Sequence, residues 1–346
     1  MEKANESIRI NTDVDIIIPW VDSSDPVWIK QYKESMQRYC PDKEAVSDIR
    51  FQNWDNLKYL FRAINMYMPW YNRIFFITYG HVPEWMNVDN DRIVVVKHKD
   101  YIPDEYLPTF NSNTIEMNYF RIKNLSENFI IFNDDMFPLQ SIEKQYYFKE
   151  NIVCDEAVEN IVVTAGFGSV ANMARYTQIN NMMIINKYFK KREVQVKFPD
   201  IWFNEVYEER LERTESLKYW NDFCGFYDPH LPSAMKKSVL KMLWNNEYCS
   251  LDRASRNHFR AYNDLTQYLV RYWQICSGNI VPRKTRGKVF FVDRHNYKDI
   301  ADIILNHKYQ MICINENCTD DEFVMIKEEI NNAFKNILPD KCLLER

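Results

Sequence analysis

An α/β fold, with a mainly parallel central sheet flanked by helices and further helical segments, is predicted by three features of the chain. First, four short apolar runs occur before residue 140: Asp15-Ile16-Ile17-Ile18, Arg73-Ile74-Phe75-Phe76-Ile77-Thr78, Arg92-Ile93-Val94-Val95-Val96 and Asn128-Phe129-Ile130-Ile131-Phe132. Each is rich in β-branched or aromatic residues without alternation, the pattern of strands buried on both faces of a parallel sheet. Second, the segments between them carry helical periodicity. Trp54 to Met68 places Leu57, Leu60, Phe61 and Ile64 on one face, and Ile115 to Leu125 is a shorter candidate. Third, each run ends in polar residues, and in such sheets the reactive site lies beyond the carboxyl ends of the strands.

The rest of the chain is less regular. Asn181 to Phe189 reads as strand or helix, and Phe203 to Tyr219 as a charged helix. Met235 to Trp244 and Asp264 to Cys276 read as helices, Val289 to Val292 and Met311 to Ile314 as late strands. Asp320 to Ile337 reads as an amphipathic helix with Phe323, Ile326, Ile330 and Phe334 on one side. The expected organisation is an α/β half over 1–140 and a remainder over 141–346, packed as one unit.

Composition excludes several function classes. Lys and Arg number 44 against 49 Asp and Glu, a net charge of −5, which argues against non-specific nucleic-acid binding. Only 6 Gly are present, with neither a G-x-x-x-x-G-K loop nor a dinucleotide fingerprint, and Gly166-Phe167-Gly168 reads as a turn. Any phosphate must therefore be held by side chains or a metal. The 8 Cys contain no C-x-x-C pair, so no zinc ribbon is expected. Met1 to Thr12 is polar, and no apolar run approaches the ~18 residues that span a bilayer. Reduced thiols and a cytoplasmic location, with peripheral membrane attachment left open, are the resulting expectation.

Four segments carry residues suited to chemistry. Asn133-Asp134-Asp135 follows a strand, and adjacent carboxylates there suit Mg²⁺ or Mn²⁺, a general base, or simply a helix cap. Trp20-Val21-Asp22-Ser23-Ser24-Asp25-Pro26 runs from a strand into a turn of the kind that holds a nucleotide or merely closes on proline. Leu107-Pro108-Thr109-Phe110-Asn111-Ser112 offers hydroxyls and amides for a sugar. Glu116 is expected against Arg121, near helical pairing distance, in either a functional or a structural ion pair. Asp228-Pro229-His230-Leu231-Pro232, with Arg256, His258, Arg260 and Asp264, contains a proton acceptor and a planar guanidinium that matches phosphate.

Taken together, these segments resemble the Stealth family of capsular polysaccharide phosphotransferases, which includes the enzyme that places N-acetylglucosamine-1-phosphate on lysosomal glycoproteins. Four signature regions have counterparts in order. The first is Asp15 to Pro26. The second runs from Arg50-Phe51 through Leu57-Lys58-Tyr59, Arg62-Ala63-Ile64, Pro69-Trp70, Val82-Pro83-Glu84-Trp85, Leu107 to Ser112, Ile115-Glu116 and Leu125-Ser126-Glu127 to Asn133-Asp134-Asp135-Met136-Phe137. The third is His230 to Ser238 with His258-Phe259-Arg260 and Asp264, and the fourth is Ile312-Cys313-Ile314-Asn315. The chain departs from the usual pattern at Asn56-Leu57-Lys58-Tyr59, Pro19-Trp20-Val21 and Ser233-Ala234-Met235.

The resemblance implies a Rossmann-like or GT-A-like fold and a sugar-phosphate transferase. Its donor would be a UDP-sugar of the N-acetylhexosamine class and its acceptor a hydroxyl of a capsular or surface glycan. By resemblance, Asp134 and Asp135 hold Mg²⁺ or Mn²⁺, with one as base. His230 deprotonates the acceptor or contacts phosphate, and Arg260 stabilises phosphoryl charge. Trp20, Asp22 and Arg62 sit near the nucleotide, while Asn111, Glu116, Arg121 and Asp264 frame the sugar or brace the site. A metal-dependent GT-A glycosyltransferase and a non-catalytic carbohydrate-binding protein are the alternatives.

Overall fold

The computed structural model describes residues 12–46, 53–166 and 171–346. Arg50-Phe51 and Phe167-Gly168 lie outside the described residues. In chain order, β1 (Val14–Trp20) leads into α1 (Pro26–Tyr39), α2 (Leu57–Tyr67), β2 (Ile74–Thr78), β3 (Ile93–Lys97), α3 (Ser112–Met117) and β4 (Asn128–Ile131). β5 (Met136–Pro138), β6 (Phe148–Lys149) and β7 (Ile152–Asp155) precede α4 (Ala171–Tyr188), α5 (Lys191–Lys197), α6 (Pro199–Trp202) and α7 (Leu211–Leu217). β8 (Ser233–Lys236) is followed by α8 (Lys237–Asn246), α9 (Tyr248–Ser255), α10 (Tyr268–Cys276), β9 (Ile280–Pro282), β10 (Lys288–Val292), α11 (Tyr297–Leu305), β11 (Met311–Glu316) and α12 (Asp320–Ile337).

The central sheet has five strands in the order β3-β2-β1-β4-β8. β1 pairs in parallel with both β2 and β4, and β2 with β3. Every residue of β2 and β4 is buried, which explains their continuous apolar character. β8 closes the sheet antiparallel to β4, with Ile131 opposite Ser233 and Asn128 opposite Lys236. A second sheet, β10-β11-β5, pairs β11 antiparallel to β5, with Cys313 opposite Met136. A third joins β6, β7 and β9. The first two sheets each combine strands from 1–140 and 141–346, and one apolar core runs through both stretches.

Several local expectations change. α1 has little periodicity to announce it; it starts because Asp25 accepts from the Trp28 N–H and Pro26 fills its first position. The helix expected over Ile115–Leu125 instead begins at Ser112, capped by Asn111, and ends at Met117. Met235 belongs to β8, so the helix expected from there begins two residues later, at Lys237. The helix expected over Phe203–Tyr219 is broken, with non-helical backbone at Glu208. Among the described residues no helix is long and apolar enough to cross a membrane, and all eight cysteines are free thiols.

A buried charge cluster ties α10 to the sheets. Arg271 is 1% exposed. Its guanidinium donates to Asp155 at 2.9 Å, Asp228 at 3.0 Å and the carbonyls of Glu156 and Tyr227. Tyr272 and Gln178 also donate to Asp228. Removing one member of such a cluster leaves uncompensated buried charge. Arg271→Leu is therefore expected to lower unfolding free energy by about 3–5 kcal/mol, read from urea denaturation; an unchanged midpoint would show the cluster to be energetically neutral.

Candidate functional site

Because β1 to β4 are parallel, the segments after them share one rim of the sheet. Asn133-Asp134-Asp135 leaves β4 in a tight turn, in which the Met136 N–H donates to the Asn133 carbonyl at 3.2 Å. Asp134 lies at the surface of the turn, although many protein atoms surround its carboxyl. Burial, reinforced by Asp135, pushes its carboxyl up to about 7. Asp135 rises to about 6 through burial, with the Cys313 thiol pulling it back. Its Oδ1 is buried and has no hydrogen-bond partner among the described residues.

Antiparallel pairing carries the residues before β8 to the same rim. His230 Nε2 lies 3.9 Å from Asp135 Oδ2, and its side chain is 41% exposed to the cleft. Its backbone is left-handed, with φ 45°, an uncommon conformation for a non-glycine residue. The Tyr268 hydroxyl stands 3.4 Å from Nδ1. Burial lowers the His230 pKa, and positive Arg260 lowers it further, while Asp228 opposes both.

Arg260 reaches the cleft from the loop after α9. Its guanidinium donates to Ser112 Oγ at 2.8 Å, at the start of α3. Glu116, on the same short helix, is buried and pushed up to about 7, with Arg260 pulling it down. The loop is held from beneath: Asp264 accepts from Asn111 and Asn113 at 2.9 Å, from Asn257 at 2.7 Å and from the Ala261 N–H at 3.0 Å. Asn111 also donates to the carbonyls of Asn257 and Phe259. Asn111 and Asp264 are fully buried, so they brace the loop that carries Arg260.

A cavity of about 580 Å³ opens on the same rim of the sheet, at the ends of β2 and β3 and the start of α1. Tyr79, His81, Lys97, His98 and Lys99 line it. The Asp22 N–H donates to His81 Nε2 at 2.7 Å, and Trp20 packs edge-on against the same ring. Burial lowers both histidines, His98 to about 4. The Nδ1 atoms of both are buried without partners among the described residues.

Asp134, Asp135, His230, Arg260 and Glu116 thus gather at one rim, with Trp20 and Asp22 at the cavity lip. Two expected members do not join them. Arg62 is committed to Glu345 at 2.7 Å and to the Leu338 and Pro339 carbonyls. Arg121 stacks on Phe120 and Trp244 and donates to Asn118, so Glu116 is matched by Arg260 instead. The five-residue separation of Glu116 and Arg121 spans the end of α3, where helical spacing no longer applies. Sequence reading assigned no role to Tyr268, Cys313 or Glu316. Glu316, hydrogen-bonded by the Trp54 indole, is raised to about 7 by burial and by Asp134 and Asp135. The signature Ile312 to Asn315 marked the strand, but only the β5–β11 register puts Cys313 beside the acids.

Comparison with known proteins follows the same line. Residues 50–155 match the family model of Stealth protein CR2, conserved region 2. A capsular polysaccharide phosphotransferase WcwK of Streptococcus pneumoniae is 35% identical over 333 residues, covering 96% of this chain and 98% of the relative. The exopolysaccharide phosphotransferase cps2G of Lactiplantibacillus plantarum is 34% identical over 337 residues, covering 96% of each. The receptor polysaccharide phosphotransferase WefC of Streptococcus oralis is 30% identical over 344 residues, covering 96% of this chain and 99% of the relative.

The buried Glu116 generates a pH prediction. Its pKa rises from 4.5 to about 7 on folding, so the folded state holds a proton that the unfolded state releases. Stability from this group is fully present below pH ~4.5 and declines as pH rises to ~7, by about 3 kcal/mol in all. Glu116→Gln removes that decline. Denaturation at pH 5 and pH 8 should show the variant gaining on the parent at the higher pH; an equal difference at both would refute the buried-acid assignment.

Proposed function

Because the chain belongs to the Stealth family of polysaccharide phosphotransferases, we propose that it moves a hexose-1-phosphate from a UDP-sugar, of the N-acetylhexosamine class, onto a hydroxyl of a capsular or surface glycan. The observation that carries the reading is the convergence of Asp135, His230 and Arg260, from three distant segments, at the rim beside the cavity. The cavity lies within the ~300–1,000 Å³ range of small-molecule sites, and Lys97 and Lys99 give it positive charge for a nucleotide.

In this reading the acceptor hydroxyl gives its proton to His230. That imidazole is neutral near pH 7 because burial and Arg260 both disfavour its charged form. Asp135, 3.9 Å away, steadies the imidazolium that forms. The acceptor oxygen bonds to the phosphorus nearer the sugar, the bond from that phosphorus to the bridging oxygen breaks, and UMP leaves. The anomeric bond is untouched. Arg260 offers its planar fork to the phosphoryl oxygens, held in place by Ser112 and the Asp264 bracket.

A divalent cation, Mg²⁺ or Mn²⁺, fits the end of the cleft formed by Asp134 and Asp135. Burial raises both carboxyls, Asp135 raises Asp134 further, and the buried Asp135 Oδ1 has no hydrogen-bond partner among the described residues. When bound, it supplies charge neutralisation for the pyrophosphate. Peripheral association with the inner membrane or a capsule-assembly complex belongs to the same reading, since the acceptor is a growing surface glycan.

Incubation with UDP-N-acetylhexosamine, Mg²⁺ and capsular oligosaccharide, followed by ³¹P NMR, tests the proposal. A phosphodiester resonance with stoichiometric UMP is expected, while UDP release with a glycoside product would establish glycosyl transfer instead. Arg260→Ala and His230→Ala should each slow transfer by on the order of 10²–10³. Near-parental turnover in both folded variants would remove these residues from the mechanism.

A further inference from the structure

We propose that Asp135, His230 and Cys313 form a binding site for a borderline-soft divalent cation of the zinc class, which shares Asp135 with the hard-cation end and competes with it. One ligand atom from each of the three lies within 4.8 Å of the others. Tetrahedral zinc with bonds of about 2.0–2.3 Å sets its ligand atoms roughly 3.3–3.8 Å apart. The 3.9 Å from His230 Nε2 to Asp135 Oδ2 is already near that value, and the half-exposed imidazole has room to close the remainder.

Each ligand is positioned by different structure. Cys313 is fully buried on β11, between Val289 of β10 and Met136 of β5. Asp135 is tied to the same strand, its carbonyl accepting from the Ile314 N–H at 2.9 Å. His230 hangs over both from the loop before β8. Cys313 is buried beneath, while Asp135 and His230 are partly exposed, so a set of three protein ligands leaves a fourth position toward the solvent side.

Two further observations point to a ligand. Asp135 Oδ1 is buried with no hydrogen-bond partner among the described residues. The Tyr268 hydroxyl oxygen, 3.4 Å from His230 Nδ1, can accept a hydrogen bond from Nδ1–H and so leave the Nε2 lone pair for the trio. Softness sets the ion class: Mg²⁺ wants oxygen ligands in octahedral array, whereas a thiolate with imidazole and carboxylate suits zinc. As the Sγ–metal bond forms, the thiol proton leaves to solvent. Binding does not depend on the transferase reading. Its consequence does: an occupied trio withdraws Asp135 and His230 from phosphoryl transfer.

Titration of the full chain with Co²⁺, followed by absorption, tests the site without reference to turnover. A near-ultraviolet thiolate-to-cobalt band and strong visible bands of four-coordinate cobalt are expected at one equivalent. Stoichiometric Zn²⁺ should abolish them, and a large excess of Mg²⁺ should not. Cys313→Ser should lose the near-ultraviolet band. His230→Ala, altered on a half-exposed loop, should weaken Co²⁺ binding tenfold or more, and it decides the matter if the strand variant fails to fold. Absence of the thiolate band in the parent, its persistence in Cys313→Ser, or unchanged affinity in His230→Ala would overturn the proposal. Because the readout is spectral, its failure leaves the transferase reading untouched.

Discussion

The antiparallel pairing of β4 with β8 is the constraint on which the site depends. β4 runs toward the rim and delivers the acids beyond its end; β8 runs away from it, so the residues before its start arrive at the same place. With Ile131 opposite Ser233, the chain needs only a few residues on each side to bring His230 over Asp135. A parallel β8 would have left His230 at the opposite edge. The same logic operates once more between β5 and β11, where Cys313 meets Met136 and therefore flanks the acids. Two antiparallel ladders thus fold residues separated by about a hundred or more positions onto the end of a parallel sheet.

Electrostatically, the rim gathers ionisable groups whose charged forms are disfavoured. The carboxyls of Asp134, Asp135, Glu116 and Glu316 are all raised, with burial the leading cause, and His230 and His98 are lowered by burial. Such shifts push every one of these groups toward neutrality. A polyanion with its counter-cation would reverse the balance, since water is replaced by fixed partners. The supporting polar network lies deeper and is fully bonded: the Asp264 bracket under Arg260, and the Arg271 cluster behind His230 through Asp228. Hydrogen-bonded polar groups beneath and perturbed ionisable groups above is the pattern expected where geometry must be held for chemistry.

Much of the parallel half was legible in the sequence. Continuous apolar runs place β1 to β4 within about two residues, because the buried middles of β1, β2 and β4 are unbroken apolar stretches and β3 keeps the same character at the sheet edge. α12 follows its periodicity from Asp320 to Ile337. Elements with weak local signatures were not legible. β5 and β9 are three residues each and exist only through pairing partners far away. Met235 looked helical because Ser233–Lys236 adjoins a true helix, and only the partner strand makes it extended. At the site, the acids, histidine and arginine could be named from motifs. The pairing of Glu116 with Arg260, and the approach of Cys313, are products of tertiary register and leave no trace in local spacing.

The cavity and the reactive cluster are assembled from different loops. The cavity mouth belongs to the segments after β2 and β3 and to the start of α1, whereas Asp135, His230, Arg260 and Cys313 hang from β4, β8, β11 and the segment after α9. Side chains that shape the mouth can therefore change without moving the residues of the cluster. The two are joined only through the sheet that carries them both, so a change in the one need not displace the other.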